Sequence, residues 1–129
     1  MTKEELLERA IVARERAYAP YSKFKVGAAL LTQDGNVFLG CNVENASYAL
    51  CNCAERTAFC SAIAAGYRRH QFRALAVVGD TPEPIAPCGA CRQVIFELGG
   101  PDLPIRLGNL NGEWRDSTAR DQLPDAFVL

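Results

Sequence analysis

Near the start of the chain, Leu6, Leu7, Ala10, Ile11, Ala13 and Ala17 recur at helical spacing. Thr2 followed by Glu5 is a capping-box start, so the pattern predicts an amphipathic helix over about residues 3 to 18. Ala19-Pro20-Tyr21-Ser22 breaks it. Phe24 to Thr32 is apolar with small residues at Gly27, Ala28 and Ala29 and reads as a buried strand. The turn Gln33-Asp34-Gly35-Asn36 returns it as a second strand over Val37 to Val43, completing a hairpin. The segment from Asn42 to Tyr48 is polar and turn-rich, a loop leaving that strand.

A second helix is predicted from about Cys53 to Gly66, with Ala54, Ala58, Phe59, Ala62 and Ile63 on its buried side. Phe72 to Val78 is another apolar strand, and the proline-rich stretch from Thr81 to Pro87 leads into a third helix over Cys88 to Leu98. Asn111-Gly112 lies between two further strand segments and marks a hairpin. A short C-terminal segment from Ala119 is broken at Pro124. Strands alternating with helices in this order predict an α/β layered domain, one sheet with helices on its faces. No repeat, linker or low-complexity run divides the 129 residues, which read as a single domain, 1–129.

Composition narrows the function. Hydrophobic residues make up 49% and charged residues 22%, as in an ordinary globular chain. A formal charge of −1 with a pI near 5.8 supplies no electrostatic footprint for nucleic acid. The one basic cluster, Arg68-Arg69-His70, reads as a solvated helix end. The N-terminus is charged, without an apolar signal segment, and no apolar stretch approaches membrane-spanning length. The expectation is a cytoplasmic protein with no membrane partner. Its six cysteines then suggest metal or redox chemistry in place of disulfides, and the sequon at Asn45-Ala46-Ser47 is read as chance.

Cys53-Ala54-Glu55 and Pro87-Cys88-Gly89-Ala90-Cys91 carry the chemistry. Structural zinc sites are closed by four protein ligands, whereas catalytic ones keep a position for water. Three thiolates beside a carboxylate therefore read as a hydrolytic zinc centre, with Cys53 opening one helix and Cys88 and Cys91 in the first turn of the next. Three thiolates and Zn²⁺ sum to −1, which weakens the ion as a Lewis acid. Two helix N-termini and a nearby cation would offset that. Arg56 is the expected partner of a thiolate, and Arg92 the other available cation. Rival readings stay open: a redox CxxC, which leaves Cys53 and Glu55 without a role, and a closed site with Cys51 as fourth ligand in a zinc-stapled interaction module. Cys41 and Cys60 are read as small buried hydrophobes.

These motifs, with Tyr18-Ala19-Pro20-Tyr21-Ser22, Phe24-Lys25-Val26-Gly27-Ala28-Ala29 and Asn42-Val43-Glu44-Asn45-Ala46-Ser47-Tyr48, resemble the zinc nucleoside deaminases, specifically the small three-cysteine homotetrameric cytidine deaminases. The resemblance spans nearly the whole chain. It implies a three-layer α/β/α domain around a single mixed sheet of about five strands, and one Zn²⁺ per chain on Cys53, Cys88 and Cys91. It makes Glu55 the proton shuttle, protonating N3 of the ring and then the leaving amine as water activated at the zinc attacks C4. Asn42 and Glu44 match residues that hydrogen-bond the ribose, Phe24 an aromatic packing on the pyrimidine, and Ala54 a further substrate contact. Tyr48 matches a residue at the subunit contact, and Phe127 a C-terminal aromatic reaching the base from a neighbouring subunit. The implied activity is deamination of cytidine and 2′-deoxycytidine in pyrimidine salvage. The rivals are an antibiotic nucleoside of the blasticidin type, disfavoured by the ribose-suited Asn42–Ala46 segment, and polynucleotide editing, disfavoured by the acidic pI. Cys51 departs from the family motif.

Overall fold

The first helix begins as its capping box dictates: Glu5 N–H donates to Thr2 Oγ1 (3.1 Å) and Thr2 N–H to Glu5 Oε1 (3.0 Å). In this computed structural model, which describes residues 1–129, α1 spans Lys3–Arg14 and β1 and β2 span Val26–Thr32 and Val37–Cys41. A single 3-10 turn at Tyr48–Leu50 precedes α2 (Ala54–Ala64), β3 (Phe72–Gly79) and α3 (Gly89–Gly99). The chain closes with β4 (Pro104–Asn109), β5 (Trp114–Thr118) and a one-turn α4 (Ala119–Gln122).

The α1 helix is shorter than the apolar spacing predicts. Glu15, Arg16 and Ala17 continue it only as i→i−3 turns, and Tyr18 is drawn into extended pairing with the chain leaving β2: its N–H donates to Asn42 O (3.0 Å) and its carbonyl accepts the Glu44 N–H (2.8 Å). That non-local ladder, invisible to a helical window, ends the helix.

The five strands form one mixed sheet in the order β2-β1-β3-β4-β5. The β3–β4 pair is parallel, joined through α3, and the other pairs are antiparallel. All seven residues of β1 are buried, because helices cover both faces. Leu6 and Ala10 of α1 pack on Ala29, Leu31, Ala76 and Val78, while Ala58 and Phe59 of α2 and Ile95 of α3 pack on Ala28, Leu30, Leu75 and Val77. Successive residues of one strand thus serve opposite cores, as the period of two requires. The result is the three-layer α/β/α arrangement expected.

Arg106, 6% exposed, is a buried cation that the sequence pattern does not signal. It faces Asp116 across the β4–β5 ladder with bonds of 2.9 and 3.0 Å, lies 3.7 Å from the Trp114 ring, and reaches Glu4 of α1 at 3.3 Å. This ties the start of α1 to the edge hairpin.

Register places Val26 opposite Gly79 and Gly27 opposite Cys41, so the start of β1 and the ends of β2 and β3 share one edge of the sheet. Ligand sites of parallel α/β units form at the carboxyl ends of their strands. The segments carrying Phe24, Asn42 and Glu44 emerge at this edge.

Candidate active site

Cys53 is the N-cap of α2 and Cys88 the N-cap of α3; neither side chain caps its own helix, which leaves both sulfurs free. Cys91, in the first turn of α3, is fully buried. The three Sγ atoms lie within 4.8 Å of one another, and Cys53 Sγ and Cys88 Sγ are 3.8 Å apart. A tetrahedral ion with Zn–S bonds of about 2.3 Å spaces its sulfurs by roughly 3.8 Å, so the donor set fits zinc. Two helix N-termini converge on it, with first-turn amides and dipoles that favour thiolates.

Arg56 Nη2 donates to Cys53 Sγ at 3.4 Å, the contact expected of it. The hydrogen bond from Cys91, and then Arg56, hold the Cys53 thiol down to about 5. The Cys91 thiol is pushed up, first by that same bond and then by burial. Arg92 does something else. Its Nε donates to Pro87 O (2.8 Å) and its Nη1 to Gln122 O (2.9 Å), so it clamps the loop before Cys88 to α4 and is spent on carbonyls instead of offsetting thiolate charge.

Glu55 follows Cys53 by two residues in the first turn of α2 and is 4% exposed. Burial pushes its carboxyl up to about 7, with the Cys53 thiolate adding to the shift. A carboxyl titrating near neutrality can both accept and return a proton. Ala54 is fully buried and packs in the core, and its backbone N–H stands at the first position of the helix, where amides lack an intrahelical partner.

Cys51 is not among the clustered thiols. Its sulfur accepts the Asn45 N–H at 3.3 Å, turned toward the loop after Glu44. Cys60 corrects the sequence reading: it is exposed, because the buried stripe of α2 runs through Ala54, Ala58, Phe59 and Ala62. Cys41 is half-buried at the end of β2.

Of the remaining candidates, Asn42 and Glu44 flank a residue paired with the backbone just before this centre. Val43 and Asn52 exchange N–H···O bonds of 2.9 Å each, which ties the Asn42–Glu44 segment to the residue before Cys53. Asn42 donates through Nδ2 to Phe24 O (2.7 Å) and accepts the Val26 N–H at Oδ1 (2.8 Å), leaving one amide hydrogen and one lone pair. Glu44 accepts from the Tyr21 and Ser22 amides and the Ser22 hydroxyl, which holds its carboxyl below the usual carboxylate range. The Phe24 ring packs beside Gly79 and Ile85; a Cβ at Gly79 would meet Ile85 Cδ1 at 2.7 Å and Phe24 Cζ at 3.4 Å. Tyr48 is exposed, its ring edge-on to Tyr21 at 6.0 Å. Phe127 is 67% exposed, its carbonyl held by Gln93 Nε2 (3.1 Å), and its ring lies on the surface.

Residues 1–106 match the family model of the cytidine and deoxycytidylate deaminase zinc-binding region. The chain is 54% identical over 128 residues to the cytidine deaminase of Halalkalibacterium halodurans, covering 99% of this chain and 96% of that one. The chain belongs to the cytidine deaminase family. It is 53% identical over 127 residues to the cytidine deaminase of Sporosarcina psychrophila, covering 98% of this chain and 92% of that one. The crystal structure of cytidine deaminase from Burkholderia pseudomallei superposes with a TM-score of 0.98 at 67% identity, covering 98% of this chain and all of that one. The family is zinc-binding, and the three-cysteine cluster supplies the donors such an ion takes.

Proposed function

We propose that this chain deaminates cytidine and 2′-deoxycytidine to uridine and 2′-deoxyuridine, releasing ammonia, with one Zn²⁺ held by Cys53, Cys88 and Cys91. The observation that carries the reading is a set of three thiols within 4.8 Å of one another beside a buried carboxyl displaced toward neutrality. Three ligands leave one position open. Zinc, when bound, supplies Lewis acidity that makes a water-derived nucleophile available near neutral pH. Glu55 takes one proton from that water and gives it to N3 of the pyrimidine as the water oxygen bonds C4. It then takes the second proton from the new C4 hydroxyl and passes it to the amine, which leaves as ammonia while C4 becomes a carbonyl. Arg56 balances the thiolate charge through its bond to Cys53. Asn42 and Glu44 meet the ribose with their unspent hydrogen-bonding positions, the Ala54 N–H meets the base, and Phe24 packs on the ring.

Purified protein is expected to contain about one zinc per chain by the three-ligand argument and to consume cytidine, read as loss of its ultraviolet absorbance. Zinc-loaded protein that leaves cytidine untouched would overturn the assignment. A Cys51→Ala variant should keep both zinc and turnover, since that sulfur is engaged by Asn45. Loss of zinc in this variant would instead revive a closed four-ligand site.

The chain acts, on this reading, as one catalytic domain over 1–129, in the cytoplasm, serving pyrimidine salvage. No helix is long and apolar enough to cross a membrane. A homotetramer with shared sites is supported by exposure: Tyr48, Leu50, Phe127 and Val128 are all more than 60% accessible. Cys60, Ile63, Ala64 and Leu98 line an open groove on the outer face of α2 and α3. Contiguous exposed apolar surface of this kind marks association. Phe127 from a neighbour would then wall the nucleoside off from water, with Tyr48 at the contact.

A further inference from the structure

Ser22 sits in the exposed loop between α1 and β1, outside the zinc ligands and proton shuttle, and bonds both the Glu44 carboxylate and the Phe24 backbone. Its N–H donates to Glu44 Oε1 at 3.1 Å and its hydroxyl donates to Glu44 Oε2. The same hydroxyl oxygen accepts the Phe24 N–H at 3.0 Å. Between them, Lys23 adopts φ 61°, a left-handed conformation unfavourable for a long side chain, and this reversal accompanies the return of the Phe24 amide onto Ser22 Oγ.

The lone pairs can be counted. A carboxylate has about four acceptor positions. Glu44 Oε1 takes the Tyr21 N–H (3.0 Å) and the Ser22 N–H, which fills it. Oε2 takes the Ser22 hydroxyl and keeps one position. The two backbone amides leave Oε2 as the free oxygen, and the Ser22 hydroxyl decides which of its lone pairs stays open. Through the Phe24 amide it also sets the backbone from which the aromatic ring departs.

We propose that Ser22 is a positioning residue for the nucleoside, a single hydroxyl that locks the carboxylate facing the sugar and the ring facing the base into one geometry. The proposal rests on the deaminase reading and deepens it, since Ser22 acts through Glu44 and Phe24 and touches neither the metal nor the reacting atoms.

The test compares the wild type, Ser22→Ala, Ser22→Thr, Glu44→Ala and the Ser22→Ala/Glu44→Ala double variant for cytidine kinetics, cytidine binding by calorimetry, and zinc content. Loss of a hydrogen bond to a charged group predicts a KM about 10-fold higher in Ser22→Ala, with kcat changed less than about twofold and zinc unchanged. Ser22→Thr, which keeps the hydroxyl at an exposed position, should restore most of the affinity. In the Glu44→Ala background, Ser22→Ala should cost less than about threefold, the remainder carried by Phe24. An unchanged KM in Ser22→Ala, no recovery in Ser22→Thr, or an undiminished penalty without Glu44 would each overturn the positioning role. A wild type that binds cytidine without converting it would sink the deaminase reading, while weakened binding in Ser22→Ala would still sustain this one. A wild type that neither binds nor converts cytidine would overturn both.

Discussion

Substitution of Glu55 by glutamine is expected to lower kcat for cytidine by about 10²–10⁴-fold, the range a positioned general acid–base contributes, while zinc stays at about one per chain. Glutamine keeps the shape and a hydrogen-bonding carbonyl but cannot take a proton from water and pass it on. The size of the effect follows from placement. Glu55 is 4% exposed and sits one residue inside a helix whose Ala54, Ala58 and Phe59 are completely buried, so the side chain is presented from a rigid element. No other carboxylate in the first turn of α2 or α3 can replace it. KM should move far less than kcat, because a proton shuttle acts chiefly beyond the bound state. Steady-state kinetics with metal analysis on the same preparation checks both halves. Full turnover in the variant would remove Glu55 from the chemistry, whereas loss of zinc would make its role structural.

What the sequence revealed was local. Cys53 and Glu55, and Cys88 and Cys91, are each separated by a few residues at a helix start, so spacing alone predicts which helix ends present them. Their convergence to within 4.8 Å depends on α2 and α3 packing side by side on one face of the sheet. The capping box at Thr2 and Glu5 is equally local and forms as expected. Features set by distant pairing were not legible. The end of α1 is decided by Tyr18 bonding Asn42, and the work of Arg92 by carbonyls at Pro87 and Gln122, one of them on α4. Arg92 looked like a charge partner because it follows Cys91 directly, but adjacency in a helix turns successive side chains about 100° apart. Cys60 misled for the same reason, falling just past the buried stripe. Ser22 carried no signal beyond its place in a motif, since its partner Glu44 lies across a strand pairing.

Gly40→Ala is the substitution expected to damage fold and site together. A Cβ at Gly40 would lie 2.2 Å from Ala54 O, 2.6 Å from Ala58 N and 3.0 Å from Ala58 Cβ, and the first two are helix backbone that cannot swing aside. Relief requires moving α2 as a body away from β2. The displaced helix carries Cys53 at its cap and Glu55 and Arg56 in its first turn. Overpacking of this kind costs about 3 kcal/mol or more where the neighbour is backbone. Gly27→Ala is the control: its Cβ would meet Ala10 O at 2.0 Å and Arg14 N at 2.5 Å, a clash of similar severity with α1 on the opposite face. Both variants should melt well below the wild type in denaturant titration. Only Gly40→Ala should also surrender zinc to a chelator at concentrations the wild type resists, because only there does relief pull Cys53 away from Cys88 and Cys91. Equal zinc retention in the two variants would mean that the metal site tolerates movement of α2, and a wild-type melt for Gly40→Ala would contradict the close packing itself.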